Sequence, residues 1–263
     1  MSQMGTALIT GATGGIGEAL CREFARHSHN LVITARNGRR LDEMANRLRR
    51  TYQVDVTTIP ADFNQPGEAK KLFTEVRDSG IAVDFLVNNA GFGLGGYFIH
   101  NGLKIQDAMI RVNVSTPTKL CRMFLPDMLS RGYGKILNVA STGAFVPGPY
   151  NSVYCAAKAY ILSLSEAIGH ELRGSGITVS ALCPGAARTG FAHRANMETT
   201  RLFNYGTLSP KQVARAAYIG MMHGEKLIVP GCLSRISICA ARLLPRCAAT
   251  CVSGFIQKQF TCR

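Results

Sequence analysis

The stretch that most narrows the folds open to this chain is residues 6–36. An apolar run, TALIT, meets a glycine-rich turn, GATGGIG, followed by an amphipathic run to about His27 and a second apolar run, NLVITAR. The pattern Thr10-Gly11-x-x-x-Gly15-x-Gly17 lets the backbone turn tightly, approach a pyrophosphate and pack a helix against a strand, with the helix N-terminus facing the anion. Such glycines acquire this meaning only between a strand and a helix, within a unit of about 30 residues. That is where they stand here, so Gly11, Thr13, Gly14, Gly15, Ile16 and Gly17 are the candidate phosphate cradle.

At the end of the second strand, a dinucleotide-binding unit places an acid where it selects a free ribose 2′-hydroxyl, or an arginine where it selects a 2′-phosphate. Residues 30–40 contain no Asp or Glu, and the strand ends in Ala35-Arg36. NADP(H) is therefore expected rather than NAD(H), held by Arg36 with help from Arg39 or Arg40. Arg47, Arg49 and Arg50 read instead as the solvated face of a helix over 37–50, and Asp42 and Glu43 neutralise part of the cluster.

The strand–helix alternation continues through VDVTTI, a helical stretch over 66–78 and VDFLVNNAG. This implies an α/β chain with a mostly parallel sheet covered on both faces. Ligands bind beyond the carboxyl ends of such strands. Asp62 and Phe63 follow the third strand, at the expected adenine end, and Asn89, Ala90 and Gly91 follow the fourth. An apolar-periodic stretch over 105–128 contains Asn113, whose amide needs buried partners. The run KILNVAS then delivers Ser141, a helix over 150–172 carries Tyr154 and Lys158, and the sixth strand ends in Pro184-Gly185. Residues 186–208 lose periodicity and read as a loop covering the substrate. A helix over 210–223 and KLIVP complete the sheet.

Tyr154 and Lys158 lie four residues apart, side by side on one helical face. A nearby ammonium favours phenolate and is expected to lower the tyrosine pKa, and Ser141 is placed to hydrogen-bond the oxygen that gains or loses the proton.

Several other chemistries are disfavoured. The nine cysteines include no Cys-x-x-Cys pair, and the six histidines show no metal spacing, so no metal site is expected. Gly-x-Ser-x-Gly is absent. The net charge of +14 lacks the aromatic interleaving or zinc signatures of nucleic-acid readers, so no nucleic-acid partner is expected. A 46% hydrophobic composition over 263 residues suffices for one core without disulfide staples. No signal peptide or membrane-spanning run is seen, and a reducing, cytoplasmic setting is expected.

With TGATGGIG, NNAG, Asn113, Ser141, YCAAK and PG in this order, the chain resembles the short-chain dehydrogenase/reductase family, in its compact single-domain branch, over roughly residues 6–230. The resemblance implies a single-domain Rossmann-type, doubly wound sheet of about seven strands. It also implies hydride transfer between a nicotinamide and a ketone or secondary alcohol. In that scheme Tyr154 exchanges the proton and Ser141 orients the substrate oxygen. Lys158 lowers the tyrosine pKa and holds the nicotinamide ribose, Asn113 supports a relay water, and Thr189 meets the nicotinamide carboxamide or phosphates. A lipophilic substrate such as a hydroxysteroid or acyl derivative is expected, and a homodimer or homotetramer. Two alternatives are 3-oxoacyl-carrier-protein reduction and a nonenzymatic NADP(H) sensor. The chain departs from some NADP-preferring relatives, which carry a basic residue in the glycine loop where this one has Thr13 and Gly14.

Residues 1–231 are read as the catalytic domain and 232–263 as a helical extension. Leu233, Ile236, Ala240, Leu243 and Cys247 recur at helical spacing, and Ala248, Val252, Phe255, Ile256 and Phe260 form a second stripe after Pro245. Both stripes are expected to cover apolar surface, over the substrate cleft, on the body of the enzyme or a neighbouring subunit, or at a membrane interface. The absence of acid after Glu225 also leaves a peripheral membrane contact open.

Overall fold

Each strand of the chain is a nearly unbroken apolar run rather than an alternation, as a parallel sheet buried on both faces requires. The computed structural model describes residues 4–188, 195 and 207–258. Its strands are β1 (Thr6–Thr10), β2 (Asn30–Thr34), β3 (Val56–Thr58), β4 (Phe85–Asn88), β5 (Gly134–Val139), β6 (Ile177–Leu182) and β7 (Leu227–Ile228). They form one sheet in the order β3-β2-β1-β4-β5-β6-β7. All pairings are parallel, with Thr6 opposite Asn30 and Ala7 opposite Phe85. Strand order reverses between β1 and β4, which opens a crevice at their carboxyl ends.

The helices are α1 (Gly15–Arg26), α2 (Gly38–Tyr52), α3 (Glu68–Asp78), α4 (Leu103–Ile110), α5 (Thr116–Arg131), α6 (Ser152–Glu171), α7 (Pro210–Met222), α8 (Cys232–Leu243) and α9 (Arg246–Gln257). Successive strand residues serve opposite layers. Ala7 and Ile9 share a cluster with Phe24 of α1, Leu41 of α2 and Met221 of α7, whereas Leu8 packs with Leu72 of α3 and Phe124 of α5. Local signals fix the ends of several helices. Asn37 accepts the Arg40 N–H at 3.0 Å at the start of α2, and Ser209 and Gln212 cap α7 reciprocally ahead of Pro210.

Within the apolar-periodic stretch over 105–128, residues Arg111–Ser115 form a π-helical turn between α4 and α5. The cause lies in the sequence. Pro117 has no N–H to give the carbonyl four residues back, that of Asn113, and the ladder slips so that Thr116 N–H reaches Arg111 O. The expected substrate loop is tied at its ends, where Ala187 pairs with Leu208. Thr189 lies outside the described residues, as does Phe260 in the tail.

Candidate active site

The crevice is built first from backbone. Gly11 has φ +65°, and a Cβ there would stand 2.8 Å from the Ala90 Cα; at Gly17 a Cβ would collide with the Gly11 carbonyl oxygen. Side chains are thus excluded where the loop, α1 and the β4 terminus converge. Thr10 Oγ1 accepts N–H groups from Asn89 at 3.0 Å and Ala90 at 2.9 Å, while Asn89 Nδ2 donates to the carbonyls of Thr10 at 2.9 Å and Gly11 at 3.2 Å. The Asn-Asn-Ala-Gly segment is therefore more than a turn. Asn89 borders the crevice, but its amide is spent on holding the glycine loop to β4.

These residues form the floor of a cleft of about 420 Å³. Gly11, Gly14, Gly15, Ile16, Gly17, Ala90 and Gly91 line it, and it extends to Ser141, Tyr154, Lys158, Pro184 and Gly185. Thr13 is half-buried and is not part of the lining. A glycine loop without side chains, opening at a helix N-terminus and continuous with a polar triad, fits a dinucleotide. At the neighbouring edge, Arg36 and Arg40 are exposed beyond β2 and form no ion pair among the described residues, whereas Arg39 is held by Glu43 at 3.2 Å. Asp42 accepts from Thr58 at 2.8 Å. Asp62 lies beyond β3, where its carboxylate accepts the Asn64 N–H, and Phe63 is buried behind it.

The polar triad comes from two elements. Ser141 ends the β5 segment, and its Oγ accepts the Gly143 N–H at 3.1 Å, leaving its hydroxyl hydrogen to point elsewhere. It hydrogen-bonds the Tyr154 phenol. Lys158 is 5% exposed; its Nζ donates to the Val139 carbonyl at 2.7 Å and lies 5.6 Å from the Tyr154 ring centroid. Asn113 is 1% exposed, with its amide exchanging hydrogen bonds with the Phe92 backbone at 2.7 Å and 3.2 Å. A Cβ on Gly91 would be 2.5 Å from Asn113 Oδ1 and 3.4 Å from Lys158 Nζ, so that glycine is where the two side chains approach.

The expected direction of the tyrosine shift is reversed. Burial pushes the Tyr154 phenol above its ordinary value, against a smaller downward pull from Ser141. The Lys158 ammonium is itself desolvated and pushed down to about 8. Desolvation of the phenolate outweighs attraction to an ammonium whose nearest partner is a carbonyl on β5. Near neutral pH the arrangement pairs a protonated phenol with a mostly charged lysine.

The second wall of the cleft comes from the C-terminal tail, one of the placements expected for it. Ser237, Ile238, Ala241 and Leu244 from the α8 end, and Ala249, Ser253, Ile256 and Gln257 from α9, line it. Gln257 hydrogen-bonds the Cys155 thiol, which burial pushes up to about 11, and donates to Ser253 at 2.7 Å. The tail therefore touches the residue next to Tyr154. On its outer side Leu233, Ile236 and Leu243 do not dock on the body of this chain; they are 63%, 64% and 86% exposed, and the buried apolar residue of α8 is Ile238. On α9 the buried row is Ala249, Ser253 and Gln257, small and polar at i, i+4 and i+8. That spacing was the available signal, masked by the stronger apolar stripe. Tyr150 was also missed: it bears φ +65° at the approach to α6, with the Tyr97 ring packed edge-on at 5.1 Å.

Comparison with known proteins places these features in context. The short chain dehydrogenase family pattern matches residues 5–200. A ketoacyl reductase, HetN, from Nostoc sp. is 31% identical over 212 residues, covering 80% of this chain and 73% of its own. A short-chain dehydrogenase from Sphingobium yanoikuyae, solved with NADPH, superposes with a TM-score of 0.82 at 32% identity, covering 91% of this chain and 94% of that one. One from Burkholderia phymatum, solved with NAD, gives 0.80 at 25% identity and 92% coverage of both chains.

Proposed function

The chain belongs to the short-chain dehydrogenase family, oxidoreductases that act on the carbonyl–alcohol couple with a nicotinamide cofactor, and from that premise we propose that it is an NADP(H)-dependent reductase of a lipophilic ketone. The observation that carries the reading is the meeting of Ser141, Tyr154 and Lys158 in one cleft, between a bare glycine floor and an apolar wall from α8 and α9.

A dinucleotide held by its pyrophosphate on the glycine loop would supply, from its nicotinamide, a hydride for the carbonyl carbon. The chain supplies the rest. Tyr154, held protonated by its burial, gives its proton to the carbonyl oxygen as the C–H bond forms, so ketone, hydride and proton become alcohol. The Ser141 hydroxyl is fixed by the Gly143 N–H and directs its own hydrogen toward that oxygen and the phenol. Lys158 offsets the negative charge that develops on the phenol, and its remaining N–H groups hold a ribose hydroxyl. Asn113, locked to Phe92, keeps the π-helical turn against Gly91 and Lys158 and leaves its own carbonyl without the proline donor, as a seat for a relay water.

Preference for the 2′-phosphate rests on Arg36, with Arg40 beside it; Arg39 is committed to Glu43. The lipophilic substrate rests on the wall formed by Ile238, Leu244, Val252 and Ile256. The test is NADPH and NADH oxidation against ketosteroids, acyl thioesters and small ketones. The expected result is NADPH consumption with a bulky apolar ketone. Consumption confined to small hydrophilic ketones, or equal use of NADH, would overturn the assignment.

A further inference from the structure

The α8–α9 hairpin carries apolar residues on two sides, one lining the cleft and one turned outward. At 100° per residue, Cys232, Ile236, Cys239 and Leu243 fall on one face of α8, and that face is turned to solvent. Toward the cleft the same hairpin presents Ile238, Ala249, Ser253, Ile256 and Gln257. A helix ordinarily buries its apolar stripe. Here the stripe stays open although the hairpin is anchored: Arg235 Nε donates to the Val229 carbonyl at 3.1 Å, and the Arg242 guanidinium lies 5.1 Å from the Phe145 ring centroid.

Charge identifies what fits this face. Arg246 opens α9 and Lys258 follows it, both exposed, and no acid occurs after Glu225. A second copy docking by the same face would set two acid-free basic tails against each other. An anionic lipid surface supplies the missing sign and an apolar layer for Ile236 and Leu243, with Arg246 and Lys258 at the headgroups. The helices are too short to span a bilayer, so the contact is interfacial.

We infer that the outward face of α8–α9 seats the protein on an anionic membrane surface. The cleft wall and the membrane face are then opposite sides of one hairpin. The inference draws on this geometry and not on the proposed reaction, so vesicle binding and turnover fail separately.

The experiment is co-sedimentation of the full chain with phosphatidylcholine vesicles and with phosphatidylcholine–phosphatidylglycerol vesicles, at low and high salt. Binding is expected only to the anionic vesicles and is expected to weaken with salt. Ile236→Glu with Leu243→Glu should lower partitioning at least about tenfold, by inserting charge into the buried face. Each of Arg246→Glu and Lys258→Glu should lower it roughly fivefold. Thermal melts of all variants should stay near wild type, because the substituted side chains face solvent. Failure to bind anionic vesicles, or equal binding to both compositions irrespective of salt, would overturn the inference. So would a solution mass of two chains that falls to one in the Ile236→Glu, Leu243→Glu variant without vesicle binding, which would assign the face to a second copy.

Discussion

The nucleotide edge and the C-terminal hairpin border the same cleft and are built by opposite rules. At the edge, side chains are absent or satisfied: Gly11 and Gly17 have no room for a Cβ, and Thr10 and Asn89 spend their polar atoms stapling loop to strand. In the hairpin, Ile238 and Ile256 join Ser253 and Gln257 on the cleft side, while Leu233, Ile236 and Leu243 are left facing out. The first region is determined by contacts within the sheet, which every strand repeats. The second is fixed by a few long-range anchors, and its apolar stripe does not show which way it faces. An apolar residue is thus a poor guide to burial unless its partner is known.

The largest expected effect tests whether the two walls serve one reaction. Tyr154→Phe should lower turnover by about 10²–10⁴-fold, the range for a general acid, with NADPH affinity within about twofold of wild type. Steady-state rates and cofactor titration check this, and retention of most turnover would remove Tyr154 from the chemistry. Next, Leu8→Ala should cost about 2–5 kcal/mol, because Leu8 is fully buried between β1 and the α3–α5 layer; denaturant unfolding measures it.

Lys158 should leave a mark on the pH dependence of stability. Its folded pKa, about 8, lies below its ordinary value of 10.5. Between those values the unfolded chain binds more protons, so wild-type stability should rise with pH across the window. The gain should be on the order of 3 kcal/mol relative to Lys158→Met, in which it is absent. A parallel pH profile for the two proteins would refute the burial of a charged lysine. Arg36→Ala should weaken NADPH by about 1.5–3 kcal/mol, the range for hydrogen bonds to charged groups, and leave NADH nearly unchanged; fluorescence titration separates the two. The smallest effect sharpens the contrast most. Leu243→Ala, a leucine lost from the outward face, should change stability by less than about 0.5 kcal/mol, in opposition to Leu8→Ala. A loss above about 2 kcal/mol would mean that the hairpin stripe is buried after all.

What the sequence by itself determined is local in origin. Apolar runs separated by glycine turns and amphipathic stretches dictated the parallel sheet, because a strand buried on both faces has to be apolar throughout. The glycine loop, the missing acid after β2 and the Tyr154–Lys158 spacing were readable because each depends on residues close in the chain. The π-helical turn at Asn113 was written there too, in Pro117, although periodicity alone concealed it. Tertiary structure decided the remainder. Whether the Tyr154 phenol is pushed up or down depends on how deeply the fold buries it, and no spacing encodes that. The direction faced by α8 and α9 depends on Phe145 and Cys155 meeting Arg242 and Gln257 across long stretches of chain, with Arg235 tied to the nearby Val229 carbonyl. A helical period gives the angle between two faces, and only the partners that hold the helix determine which face is turned inward.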